Sequence, residues 1–161
     1  MPLETRVVDA LRSHGLTLAC AESCTGGLFG ARLTRVAGAG DVFFGGVICY
    51  QDAVKAELLR VDRETLARHG AVSREVARQM AAGARELFAA DLAVSITGFA
   101  GPSAPPGGEL GRVHVALAHW GGIESHELHF PDEREKVREG AVEEALRFVL
   151  EAVPRVVAGR N

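Results

Sequence analysis

The sequence predicts an α/β sandwich around a mixed sheet, and three observations carry that reading. Apolar or β-branched runs alternate with helical stripes along most of the chain. Two of those runs, at 16–21 and 91–97, are mostly apolar without strict alternation, the pattern of strands covered on both faces. The last two, at 112–119 and 123–130, are joined only by Trp120-Gly121-Gly122, which reads as a hairpin. Helices between consecutive strands require parallel pairing, so the sheet is expected to be mostly parallel, with a C-terminal β-hairpin and a final helix.

Each element has its own signal. Leu3, Val7, Val8 and Leu11 form a helical stripe closed by Gly15. After the strand at 16–21, Leu28, Ala31, Leu33 and Val36 predict a helix over about 26–36, ended by Ala37-Gly38-Ala39-Gly40. Val42–Tyr50 reads as a long strand with a bulge at Gly45-Gly46. Short helices follow over 53–59, carrying Lys55, and over 63–69, stopped by Gly70. Ser73 caps an amphipathic helix through Val76, Met80, Ala84 and Leu87. The strand ending at Thr97 runs into Gly98-Phe99-Ala100-Gly101-Pro102 and a Pro/Gly loop to Gly111, long enough to suggest a binding loop. The last helix is expected over about 133–153, with a frayed tail after Pro154.

With no internal repeat or linker, residues 1–161 are expected to form a single domain. A net charge of −3 leaves no basic footprint for nucleic acid, and no apolar run reaches membrane-spanning length. The start, Met1-Pro2-Leu3-Glu4-Thr5-Arg6, lacks an export-type apolar region; with an odd number of cysteines this predicts a cytoplasmic protein. Cys20, Cys24 and Cys49 form no CxxC pair, so no metal is expected.

The chemistry-bearing stretch is Ala19-Cys20-Ala21-Glu22-Ser23-Cys24-Thr25-Gly26-Gly27. A strand running into Ser-Cys-Thr-Gly-Gly and then a helix gathers hydroxyls, a thiol and free backbone N–H groups at one corner. Such a corner can hold an anion or an acyl-transfer oxyanion. The same residues can equally be ordinary cap and turn residues. A second Thr-Gly corner at 97–101 ends another strand, and both corners can meet at one sheet edge, where open α/β sheets bind ligands.

Ala21-Glu22-Ser23-Cys24-Thr25-Gly26-Gly27, Tyr50-Gln51-Asp52-Ala53-Val54-Lys55, Gly70-Ala71-Val72-Ser73 and Thr97-Gly98-Phe99-Ala100-Gly101-Pro102 together resemble the CinA C-terminal family, including its stand-alone nicotinamide mononucleotide (NMN) deamidases. The resemblance runs from the first helix to about Leu150, with a looser match over Phe130–Arg138. It implies a three-layer α/β/α fold, commonly a homo-oligomer, and an amidohydrolase of pyridine-nucleotide salvage. The implied reaction converts the carboxamide of NMN to nicotinate mononucleotide and ammonia without a cofactor. It also implies a serine nucleophile assisted by a lysine and a tyrosine, which map onto Ser23, Lys55 and Tyr50. Family members usually follow Gly-Pro with a Gly-Gly-rich segment. Here Ser103–Arg112 displaces the glycines and adds prolines, which bears on loop closure and specificity.

Residue chemistry is consistent with those roles. A serine hydroxyl attacks an amide only when a neighbouring base takes its proton, and no histidine falls in the matched blocks. Lys55 fills that role where burial leaves it partly neutral. Substrate and phosphate contacts are expected from Thr25, Gly26, Gly27, Thr97, Gly98 and Gly101, with Arg134 and Arg138 as forked cations or as members of a solvated helix face. Cys24 is the rival nucleophile, and Glu22 either orients Lys55 or pairs elsewhere. His126 and His129 lie three apart on a strand, and His114 and His119 five apart, so neither pair faces one metal. Phe99 and Trp120 are candidates for stacking on a pyridine ring. A different class remains open: a non-catalytic nucleotide-binding or interaction module linked to competence or DNA damage, or an amidase for another amide.

Overall fold

The computed structural model describes residues 1–160; Asn161, the end of the expected tail, lies outside the described residues. The strands are β1 (Leu18–Glu22), β2 (Phe43–Ile48), β3 (Leu92–Gly98), β4 (Arg112–His119) and β5 (Gly122–His129). The helices are α1 (Leu3–Ser13), α2 (Leu28–Leu33), α3 (Asp52–Leu59), α4 (Arg63–His69), α5 (Arg74–Phe88) and α6 (Arg134–Ala158). They build one sheet in the order β2-β1-β3-β4-β5. β1 pairs parallel with β2 and β3, while β4 pairs antiparallel with β3 and β5. Four strands therefore run one way and β4 alone opposes them.

Side-chain alternation sorts the core into two layers. Leu18 and Cys20 of β1 and Leu92, Val94 and Ile96 of β3 pack against Val7, Val8 and Leu11 of α1, Phe29 and Leu33 of α2, and Leu146 and Val149 of α6. On the other face Ala19, Ala21 and Ala93 meet Val76, Met80 and Ala84 of α5, with Leu59 of α3. Ala77 and Ala81 of α5 touch Ala116 and Ala118 of β4, so small residues on both sides bring that helix close to the sheet. The result is the expected three-layer α/β/α sandwich. Arg32 ties the first layer together, bridging Glu4 of α1 at 2.6 Å and Glu143 of α6 at 2.9 Å. A hydrogen bond at its own backbone amide and the Arg32 guanidinium hold the Glu4 carboxyl below its ordinary range.

Several predicted boundaries move for physical reasons. The helix expected over about 26–36 is only Leu28–Leu33, because Gly26 and Gly27 take φ of 57° and 102° and belong to the turn before it. Strand β2 carries its irregularity at Phe44, where the register jumps from Leu18↔Phe43 to Ala19↔Gly45. The end expected to fray after Pro154 stays helical to Ala158. There Val153 and Val156 are buried in the α1/α6 layer, and packing outweighs the backbone donor that proline lacks. The 63–69 helix and the Ser73 cap stand as predicted, with Val76 N–H donating to Ser73 Oγ at 3.3 Å.

Gly83 supplies a test of the second layer. A Cβ there would stand 2.0 Å from the Leu59 carbonyl oxygen, so α5 and α3 approach closely only because that position has no side chain. Gly83→Ala stabilises an open helix by about 1 kcal/mol. Here urea unfolding is expected to show the opposite sign, a loss of about 1–3 kcal/mol.

Candidate active site

The order β2-β1-β3 sets three strand ends side by side. Just beyond the strands, Cys49 N–H donates to Glu22 O at 2.8 Å and Ser23 N–H to Ile96 O at 2.9 Å. Ser23 thus sits between the Cys49-Tyr50 end of β2 and the Thr97-Gly98 end of β3. The chain leaves β1 toward β2 through α2 on one face and returns past β1 to β3 through α3–α5 on the other. This is the crevice at the carboxyl edge where open α/β sheets take ligands.

The corner after Ser23 is held by groups that do not enter the crevice. Glu22, 2% exposed, accepts from Phe29 N–H at 2.8 Å and Gly30 N–H at 3.2 Å, and so caps α2 rather than orienting Lys55. Gly26 N–H donates back to Ser23 O at 3.0 Å, closing the turn. Arg138 donates through Nε to Cys24 O and through Nη2 to Thr25 O, each at 3.1 Å, and pairs with Glu135 at 2.6 Å. Its fork is therefore committed to the loop backbone. Among the described residues the N–H groups of Cys24, Thr25 and Gly27 meet no protein acceptor, and the buried Thr25 Oγ1 has no partner either.

Lys55 and Tyr50 arrive from the neighbouring end. Lys55, in the first turn of α3, is 1% exposed. Its Nζ donates to Cys49 O at 2.9 Å and Tyr50 O at 3.4 Å, with Asp52 Oδ1 at 3.7 Å. The Asp52–Lys55 spacing of three on a helix was a readable signal for that pair, and sequence reasoning missed it. Tyr50 is largely exposed, and its hydroxyl accepts from Arg134 Nη2 at 3.1 Å. Arg134 Nη1 also donates to Gly101 O at 2.5 Å, bridging the 98–111 loop to the Tyr50 corner. Thr97 spends its hydroxyl on Ala71 O at 2.9 Å, and Gly98 lies where a Cβ would stand 2.7 Å from Val113.

Ser23, Cys24, Tyr50, Asp52, Lys55, Ala71, Val72, Thr97, Gly98, Phe99 and Arg134 line one cleft of about 200 Å³. It gathers the three residues expected to act on the carboxamide, together with Thr97, Gly98 and Arg134. Thr25, Gly26, Gly27, Gly101 and Arg138 stand behind or beside it. Asp52, Ala71 and Val72 join it without having been singled out. Phe99 lies in the wall; Trp120 lies at the far end of the sheet, under the Arg160 guanidinium. A larger cavity, about 640 Å³, sits at that far end beside Arg85, Asp91 and His119. Of its polar groups, Arg85 engages Asp91 O, Asp91 engages Thr17 and His119 engages Glu124, while the buried Trp120 Nε1 meets no acceptor among the described residues. His126 packs edge-on against Phe148, while His129 turns to Glu109 and Glu127, so the strand alternation separates them as expected.

The thiols behave as core groups. Burial pushes the Cys24 thiol up to about 11, outweighing the lowering influence of its own backbone N–H dipole and of the nearby Arg138 and Arg134. Burial likewise raises Cys49 to about 11 and Cys20 well above its ordinary value. A raised thiol pKa means less thiolate at any pH below it, roughly one per several thousand thiols near pH 7.5. Native protein treated with iodoacetamide at pH 7.5 is therefore expected to stay unmodified by mass spectrometry, and to gain three adducts only after unfolding; rapid native alkylation of Cys24 would contradict this burial.

Comparison with known proteins places this geometry in a family. The CinA C-terminal domain family matches residues 1–153. A CinA-like protein of Citrifermentans bemidjiense is 45% identical over 137 residues, covering 84% of this chain and 33% of its own length. A CinA-like protein of Geobacter sp. (strain M21) is 46% identical over 140 residues, covering 84% and 33%. The chain thus spans about a third of the length of these curated relatives. A solved CinA superfamily protein from Klebsiella pneumoniae superposes with a TM-score of 0.92 at 37% identity, covering 95% of this chain and 96% of that one. The competence/damage inducible protein CihA from Agrobacterium tumefaciens gives 0.90 at 38%, covering 94% and 93%. The chain belongs to the CinA C-terminal domain family.

Proposed function

We propose that the cleft hydrolyses the carboxamide of NMN, releasing ammonia and nicotinate mononucleotide. The observation that carries this reading is the meeting of Ser23, a buried Lys55 and Tyr50 in one cleft, beside N–H groups that no protein acceptor uses.

Ser23 Oγ attacks the carboxamide carbon while the Lys55 amine takes its proton. A neutral amine has two N–H groups and one lone pair. The Cys49 and Tyr50 carbonyls accept both N–H groups and leave the lone pair for the serine. After the transfer, Asp52 and the two carbonyls stabilise the ammonium. The carbonyl oxygen, now an oxyanion, is held by N–H groups of the Cys24–Gly27 corner. Tyr50 gives a proton to the leaving nitrogen, since Arg134 donates to the phenol oxygen and leaves its proton free. Collapse breaks the C–N bond and ammonia departs; the Lys55 ammonium then gives up its proton to reprotonate the Tyr50 phenolate, and water hydrolyses the nicotinoyl–serine ester with the neutral Lys55 again as base. The pyridinium charge of NMN makes its carboxamide a better electrophile than a neutral one. Of the two arginines, Arg134 lines the cleft, and its N–H groups not used by Gly101 O and Tyr50 Oη are the ones open to the nucleotide phosphate, whereas Arg138 keeps the loop in shape.

Ammonia release from NMN by purified protein, with EDTA present, tests the reading. Ser23→Ala is expected to lower turnover about a thousandfold or more, and Lys55→Met comparably, while Cys24→Ala keeps most of it. Loss in Cys24→Ala alone, with Ser23→Ala active, would make the thiol the nucleophile. NMN binding by calorimetry without any turnover would instead favour a nucleotide-binding module.

A further inference from the structure

We propose that Asp52 is the residue through which the cleft selects a carboxamide carried on a cationic ring over the same carboxamide on a neutral ring. That role rests on the carboxamide reading of the cleft and concerns ligand choice, not the chemical steps.

The charges around the cleft are few and held apart. Among the described lining residues Asp52 supplies the one carboxylate. Glu22, next to Ser23 in sequence, is turned to the first amides of α2 instead. Arg134 is fastened to Gly101 O and the Tyr50 phenol, and makes no ion pair with Asp52 among the described residues. Asp52 Oδ1 stands 3.7 Å from Lys55 Nζ, while Oδ2 meets no donor among those residues. The Lys55 side chain is 1% exposed and that of Asp52 59%, so the carboxylate, not the amine, is what this corner offers to solvent.

Proton transfer makes that carboxylate matter. While Ser23 attacks, Lys55 is a neutral amine, and Asp52 keeps no cation of the described chain within ion-pair distance. A ring that carries its own positive charge supplies one, and a neutral ring does not. In a pyridine-3-carboxamide the ring nitrogen lies two bonds from the carbon bearing the amide, so an amide seated at Ser23 brings the ring charge into the cleft. A compact cleft of about 200 Å³ is only about 7 Å across, inside the Debye length of about 8 Å at physiological salt. Attraction over that distance corresponds to a preference of about threefold to fiftyfold, and the exposure of Asp52 places it toward the low end, about three- to tenfold. Phe99 in the same wall also favours a cation through its ring face, but that contribution survives loss of the carboxylate. The dipole of α3 welcomes an acid in its first turn as well, and that role shows in stability rather than in ligand choice.

Nicotinamide and its ring-N-methylated cation carry the same carboxamide and no phosphate, so the ratio of their dissociation constants reads ring charge alone. Both are titrated by NMR into the wild-type chain, Asp52→Asn and Asp52→Glu, at low and high salt, with ammonia release from NMN assayed in parallel. The wild type is expected to prefer the cation. Asp52→Asn is expected to cut that preference about three- to tenfold, high salt to lower it in the wild type, and Asp52→Glu to keep most of it, all with unchanged circular dichroism. A ratio unchanged in Asp52→Asn, or one that salt does not lower, overturns the proposal, as does failure of both probes to bind. NMN hydrolysis with an unchanged ratio leaves the carboxamide reading standing and removes this role from Asp52. A ratio that follows the Asp52 charge without ammonia release from NMN supports the role and removes the hydrolysis.

Discussion

The register of the three parallel strands is the constraint on which everything functional depends. Two backbone hydrogen bonds beyond the strands, Cys49 N–H to Glu22 O and Ser23 N–H to Ile96 O, fix the ends of β2, β1 and β3 side by side. A slip by one residue would turn Ser23 to the other face and put Glu22 in its place. The buried alanines of β1 and the branched residues of β3 resist such a slip, because each face is already filled by helices. The site is thus a by-product of core packing: what keeps Leu18 and Cys20 under α1 and α2 also keeps Ser23 in the crevice.

Around the crevice, polar groups divide into those that build it and those left over. Glu22 caps α2, Arg138 holds the Cys24 and Thr25 carbonyls, and Thr97 holds Ala71. Each takes a group that a motif reading would hand to substrate, and each is buried or half-buried, where an unpaired polar atom is costly. What remains unpaired there among the described residues is narrower: the N–H groups of Cys24, Thr25 and Gly27 and the Thr25 hydroxyl. Their availability follows from the capping itself. Because Glu22 satisfies the first amides of α2, the turn before it needs no carboxylate of its own. Gly26 and Gly27, at positive φ, let the chain turn sharply between Ser23 and the start of α2.

Much of this was legible in the sequence. The apolar run at 16–21 and the branched run at 91–97 gave the buried strands, the Ser73 cap gave α5, and Trp120-Gly121 gave the hairpin. The motif blocks also gathered Ser23, Tyr50 and Lys55 before any coordinates did. What was not legible lay in long-range pairing. Nothing local distinguishes an arginine that clamps a loop more than a hundred residues away from one facing solvent, so Arg134 and Arg138 read alike although only Arg134 lines the cleft. Glu22 was ambiguous for the same reason, since its partners depend on how sharply Gly26-Gly27 turns. The end of α6 misled because Pro154 is a strong local signal, while burial of Val156 is a tertiary one.

The topology also explains why the strand leading to Tyr50 lies at an edge of the sheet. With β1 in the middle of the parallel set, its two neighbours are β2 and β3, and only one side can be extended by a hairpin. The chain extends the β3 side, where β4 and β5 follow directly and need only a two-residue turn between them. That leaves β2 with one ladder and one open side. A charged residue on the open side is the usual protection, yet here it would stand close to Tyr50 and the Arg134 bridge. An acid would compete with Tyr50 for Arg134, and a base would compete for an anionic ligand. A neutral edge is what the cleft tolerates best, so its apolar row follows from the same strand order that built the site.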